Sequence, residues 1–348
     1  MKAFRCFLAA ALVLAGCKDP PKPVKDEAPK TTPVPSDMVF NDFIPSGGGG
    51  GGLAVRMDGG LEAGLSGAGG GGGGGGAEPA AGDRVKLLEP GAEPRTARRY
   101  AFVVGKAQKR ALTVRTSVSA QGKVQDAPAL TTHFEITAKD VKPKATKFEI
   151  KVLKAELADA DKLPPQLVAQ AAKELDMFKG LAANFEVTPR GDVGELALAG
   201  SDKMKGQGAE EVIQILTQLI DVMLVPLPDA PIGLGAKWEL EEGGEGNPAK
   251  GKRVLELKEF TDGVANIGVV LERKVPKRAV PDPRMRGATV EASAKGTFTY
   301  TARFDQVATK VVGDMSQTEK IEVPVSETEK KSVVRETKVK HLLEAPTK

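Results

Sequence analysis

Beyond Arg84 the chain alternates apolar and polar residues with a period of two, and the alternation recurs often enough to predict strands with one buried face. Leu112, Val114, Thr116 and Val118 share a face of the first clear segment. Leu130, Thr132, Phe134 and Ile136 share a face of the second. Phe148, Ile150 and Val152 continue the pattern, as do Phe185 and Val187. In the C-terminal half Ile267, Val269 and Leu271 alternate with Asn266, Gly268 and Val270. Phe298, Tyr300, Ala302 and Phe304 give the clearest case, because Thr297, Thr299, Thr301 and Arg303 occupy the other face.

Two stretches change period. Leu167, Ala171, Leu175 and Phe178 recur at helical spacing, and Pro164-Pro165 sits where a first turn tolerates proline. Val212, Leu216, Leu219 and Met223 do the same, joined by Ile213, Ile220 and Leu224. That second helix is apolar over much of its circumference, so it is expected to be buried or to lie across a sheet. Pro226 and Pro228 end it. The expected fold class is α+β: a large curved antiparallel β-sheet, half-barrel-like, with two central helices. One continuous domain over 84–348 and two similar sub-domains both fit the order of elements, and the single domain is the preferred reading. "FEVTPRGDVGELAL" and "FTYTARFDQVATKVVGDM" each read strand, turn, strand, a faint internal echo too weak for a duplication.

The first 83 residues follow different rules. Lys2 and Arg5 precede an unbroken apolar run from Cys6 to Ala15, the layout of a secretory signal. A membrane-crossing helix needs about 20 apolar residues, roughly twice this run. Leu14-Ala15-Gly16-Cys17 resembles the lipobox of bacterial lipoproteins. In that family the cysteine sulfur receives a diacylglyceryl group and the signal is cut before it, so the resemblance implies a signal peptide over 1–16 and a lipid-bearing Cys17 with palmitate-type chains. Two or three acyl chains hold a protein on a membrane where one does not. Lys18 follows the cysteine; in similar enterobacterial lipoproteins an Asp there favours inner-membrane retention, so Lys18 implies the outer membrane. With Cys6 removed and Cys17 lipidated, no cysteine remains for a disulfide or a metal site.

Residues 17–83 show no periodic apolar pattern. "KDPPKPVKDEAPKTTPVP" mixes proline with charge, and two glycine tracts follow, 47–52 and 69–76. Such a segment buries too little to offset the entropy of ordering, so a disordered tether with a reach of roughly 45 Å is expected. "MVFNDFIP" and "LAVRMDGGLEAGL" are its apolar clusters and read as parts of a spacer. The formal charge of +4 loses Lys2 and Arg5 with the signal, leaving about +2, with Lys and Glu interspersed. That balance gives no electrostatic basis for binding nucleic acid. Aromatics make up 4% of the chain, so the core rests on aliphatic side chains with Phe as occasional anchors.

"PLPDAPIGLGAKWEL", Pro226 to Leu240, resembles a recurrent segment of an uncharacterised family of predicted bacterial lipoproteins, which also carries a strand and turn similar to "FKGLAANFEVTPRGDV". The family brings no activity with it. Physically, Gly233 and Gly235 permit a tight turn, and Trp238 is expected to pack into the core rather than to stack on a ligand.

Candidate chemistry is sparse. His133 falls on the polar face of its strand and His341 lies among Lys338, Lys340 and Leu342, so both read as solvated histidines without a paired acid or nucleophile. No metalloprotease, P-loop, nucleophile-elbow or CxxC motif occurs. "GLGAKW" precedes a strand where a dinucleotide fingerprint needs a helix. "ADAD" at 158–161 lacks the ligands of a calcium loop, and "ELEEGGEGNP" reads as a hairpin turn closed by Asn247-Pro248. The expectation is therefore no enzyme, no cofactor and no metal. It is an envelope lipoprotein that meets a protein partner, or alternatively a carrier of lipid or another apolar ligand. A carrier needs Phe298, Tyr300 and Phe304 to line a void, whereas an interaction module fills that space with side chains.

Overall fold

The computed structural model describes residues 84–346 apart from 195, 200–215, 218, 243–248, 281–286 and 325–328. The signal expected over 1–16, Cys17 and the tether to residue 83 lie outside the described residues, as do Val212, Ile213 and the Asn247-Pro248 turn.

Strands dominate: β1 (Val85–Glu89), β2 (Ala107–Ala120), β3 (Lys123–Asp126), β4 (Leu130–Val141), β5 (Thr146–Leu157), β6 (Ala182–Val187), β7 (Ala197–Leu198), β8 (Lys237–Glu242), β9 (Lys250–Thr261), β10 (Val264–Ala279), β11 (Thr289–Arg303), β12 (Lys310–Pro324) and β13 (Lys330–Glu344). They form one 13-stranded sheet in the order β1-β8-β9-β10-β11-β12-β13-β2-β4-β5-β6-β7, with β3 paired to β2 beside that path. The described pairings are antiparallel, and the path is open, with β1 and β7 at its ends. Neighbours in sequence are mostly neighbours in space. Two pairings reach across the chain: β1 lies beside β8, and β13 returns to β2 in a register running from Glu344↔Ala111 to Arg335↔Ala120, so that both join the two halves of the chain.

The inward residues are those the period of two selects. Phe134, Ile136, Phe148, Ile150, Val152, Ile267, Val269, Leu271, Phe298, Tyr300 and Ala302 are all buried, while Val270, between two of them, stands half exposed on the far face. Strands from both ends of the open path share one apolar core, in which Phe185 of β6 and Trp238 of β8 belong to the same cluster.

Helices are few. One α-helix, α1 (Pro165–Leu175), starts with proline in its first turn and continues as a 3₁₀ turn over Asp176–Phe178. It is amphipathic and buries Ala171 and Leu175. The second expected helix is seen at residues 216–217 and 219–223. Its apolar circumference has the expected consequence: Leu216, Leu219, Ile220, Val222 and Met223 are all buried, and Leu224, Val225 and Leu227 are buried beyond it. The chain leaves the helical conformation at Leu224, ahead of Pro226. Both sequences of the faint echo form hairpins, β6 with β7 and β11 with β12.

At the end of the sheet where β9 and β11 finish and β2 and β5 begin, aromatic rings form a line. Phe260 stacks on Phe304 at 6.3 Å, Phe304 meets Tyr100 edge-on at 5.6 Å, and Tyr100 stacks on Phe102 at 5.2 Å. Phe102 meets Phe148 edge-on at 4.7 Å, and Phe148 stacks on Phe185 at 5.5 Å. Such centroid separations are those of attractive ring pairs. The Arg98 guanidinium caps the line 3.7 Å above Phe260.

Candidate functional site

The two segments that carry the resemblance meet in space. Leu227 N–H donates to Arg190 C=O at 2.8 Å, and Arg190 Nη1 holds Asp229 Oδ2 at 2.6 Å while its Nη2 holds Asp192 at 3.1 Å. Arg99 reaches the same Asp229 from the β1–β2 connection, at 3.2 Å. Tyr100 adds a buried hydroxyl that accepts the Val225 N–H at 3.1 Å, and desolvation raises its pKa. Trp238 is fully buried and donates its Nε1–H to Pro226 C=O at 2.7 Å. Gly233 lies against backbone: a Cβ there would stand 1.7 Å from Ala92 O, and Gly235 turns the chain with φ +77°. These residues have a packing role, as the sequence predicts for Trp238 and the glycines.

The expectation of two solvated histidines needs correction. His133 is half buried, with Nε2 2.8 Å from Glu156 Oε1, a carboxylate shared with Lys154 at 2.8 Å. The nearby Thr131 hydroxyl is engaged with Thr113 at 2.8 Å, so the pair has no poised nucleophile in that group. His341 is only 8% exposed and points inward between Val339 and Leu343, its ring 5.8 Å from Phe298. Desolvation pushes its pKa down to about 4, against a smaller upward pull from Asp314. The reason is alternation: Val339, His341 and Leu343 share one face, and the flanking lysines share the other.

A buried charge network escaped the sequence reading. On three neighbouring strands the inward apolar series ends in charge over two successive inward levels: Leu255 gives way to Arg253, which stands between Leu240 and Leu271, and at the next level Leu240 gives way to Glu242 and Leu271 to Arg273. Gly251 pairs with Glu242 on one side and Arg273 on the other. A Cβ at Gly251 would stand 3.2 Å from both Glu242 Oε2 and Arg273 Cβ, so the missing side chain lets the carboxylate cross to Arg273. Glu242 Oε2 lies 2.9 Å from Arg273 Nη2, and Oε1 pairs with Arg253 Nε. Arg253 Nη2 lies 3.9 Å from Asp221, which the short second helix carries. Burial works against the charge on Arg253, but Glu242 and Asp221 outweigh it and raise its pKa. Tyr300 is pushed up to about 12, mainly by burial, with Arg253 pulling the other way.

Two spaces adjoin this network. Below it, Asp221, Arg253, Val269, Phe298 and Tyr300 bound a cavity of about 10 Å³. That is near the lower limit for holding one water molecule. Above it lies an open recess of about 660 Å³, with Glu242, Arg273 and Ala294 in its lining and Glu239, Glu241, Lys250, Lys252, Lys274 and Lys295 around them. Its size is that of a ligand site (about 300–1,000 Å³), but its lining is charged rather than apolar.

Metal chemistry finds no donor set: among the described residues no group of three or more His, Cys, Asp or Glu is placed to hold an ion. In the "ADAD" stretch Asp159 is held by Arg115 and Lys162, which lower its pKa. Among the described residues no helix is long and apolar enough to cross a membrane. No protein-family model and no curated protein matches the chain.

Proposed function

We propose that this chain is an envelope lipoprotein, held to the outer membrane through lipid on Cys17, whose folded part is an interaction module rather than an enzyme or a lipid carrier. In this reading residues 17–83 are the leash and 84–348 a single α+β domain, its sheet bent half-barrel-like around two helices. The shared core of Phe185 and Trp238, from strands near opposite ends of the path, supports that bend.

The observation that favours interaction over carriage is the cavity of about 10 Å³ bounded by Phe298 and Tyr300. A carrier of acyl chains needs a void there. Leu216, Leu219, Ile220 and Met223 instead lie buried in the same core as Phe298 and Tyr300. The space large enough for a partner is the recess of about 660 Å³, and its lysines and glutamates suit a polar surface better than a hydrocarbon chain. Native mass spectrometry of the full chain carrying Cys17→Ala tests the choice. Protein free of bound lipid is the expected result, and reproducible stoichiometric co-purifying lipid would replace the interaction reading with carriage.

A further inference from the structure

We infer that the recess contains a phosphoryl-binding site formed by Lys250, Lys274 and Ser293. Successive residues of a strand face opposite ways, so the register defines a grid on the side of the sheet away from the core. In that grid Lys250 of β9 stands directly opposite Lys274 of β10, and Lys274 stands opposite Ser293 of β11. Directly opposed like charges destabilise a sheet unless something lies between them. Every other cation of the recess has an acid: Lys252 pairs with Glu239 at 3.4 Å, Lys295 with Glu272 at 3.6 Å, and Arg273 with Glu242 at 2.9 Å. Among the described residues neither Lys250 nor Lys274 meets a carboxylate, although both line the recess. Glu241, the remaining acid there, stands across from Lys252 rather than from either lysine.

Two ammonium groups and a hydroxyl on adjacent strands match a phosphoryl group, whose oxygens accept from all three; lysine serves such ligands as a point charge. A carboxylate has fewer oxygens and less charge for the same three donors. The position also fits a headgroup source. Val85 pairs with Leu240, beside the Glu239–Glu242 wall, so the tether joins the body at the recess end of the sheet. That source rests on the anchored reading above, whereas the site itself needs only the sheet.

The test uses the full chain with Cys17→Ala in two arms. In the first, unfolding temperature is followed against inorganic phosphate at constant ionic strength, balanced with chloride. A saturable rise is expected, and the double variant Lys250→Gln/Lys274→Gln should weaken the apparent phosphate affinity at least tenfold. Lys338→Gln, distant on β13, should leave it unchanged. Lys274→Glu supplies Lys250 with a partner and should abolish the response while the protein stays folded. In the second arm, vesicles of phosphatidylcholine with and without phosphatidylglycerol are sedimented with the protein. Lysine-dependent binding to the anionic vesicles alone identifies a headgroup as the source, and a phosphate response without vesicle binding identifies a soluble phosphorylated ligand. No difference between phosphate and chloride, or an undiminished response in the double variant, overturns the site. Neither arm depends on lipid at residue 17, so failure of the anchor assignment is read separately.

Discussion

Lowering the pH from 7 toward 4 should unload the interior of the sheet through His341. The neutral imidazole sits among apolar neighbours, and burial takes its pKa from 6.5 to about 4. The unfolded chain therefore binds a proton between these values that the folded chain refuses, so stability is complete above pH 6.5 and falls as the pH drops. At about 1.4 kcal/mol per unit, a shift from 6.5 to about 4 corresponds to roughly 3 kcal/mol at the acid limit and about 2 kcal/mol by pH 5. The shifted carboxylates act in the same direction but later. Glu322, held at about 2 by Lys277 and Lys320, contributes in full above 4.5 and loses that contribution as the pH falls from there toward about 2, and Glu156, lowered by Lys154, likewise begins to lose its contribution only below 4.5. The single tryptophan, Trp238, is fully buried and reports unfolding by its emission. Urea midpoints at pH 7, 6 and 5 should fall for the wild type, and His341→Leu should flatten that decline by about one proton's slope. A wild-type midpoint unchanged from pH 6.5 to 5, or a variant as pH-sensitive as the wild type, would refute the reasoning.

Three substitutions probe the rest of the interior by equilibrium unfolding. Glu242→Ala leaves the buried guanidiniums of Arg253 and Arg273 without their shared carboxylate and should cost about 3–5 kcal/mol. Gly233→Ala drives a methyl group into the Ala92 carbonyl and should cost about 3 kcal/mol, read as a lower unfolding midpoint. Trp238→Phe removes the donor to the part-buried Pro226 C=O; a loss of about 1 kcal/mol is expected from the same measurement.

The strands were legible because one wet and one dry face leave a period of two, and Phe298, Tyr300 and Ala302 are buried where that period puts them. The buried role of Trp238 and the turn at Gly233 and Gly235 were legible for similar reasons, since large aromatics and adjacent glycines have few places to go. What stayed hidden depends on register between strands. Glu242, Arg253 and Arg273 look like surface charges in their own segments, and only the pairing of Gly251 with residues on both neighbours makes them one network. Arg190 and Asp229 are 39 residues apart, and nothing local announces that they touch. His341 looks solvated beside Lys338 and Lys340, and only its alternation with Val339 and Leu343 marks it as an inward residue. The return of β13 to β2 likewise has no local signature.

Whether this chain is an anchored module is decided by the intact mass of the polypeptide extracted from native membranes. A chain that starts at Cys17 and carries the added mass of a diacylglyceryl group is the predicted result. A chain that starts at Met1 with an unmodified thiol at residue 17 would contradict it.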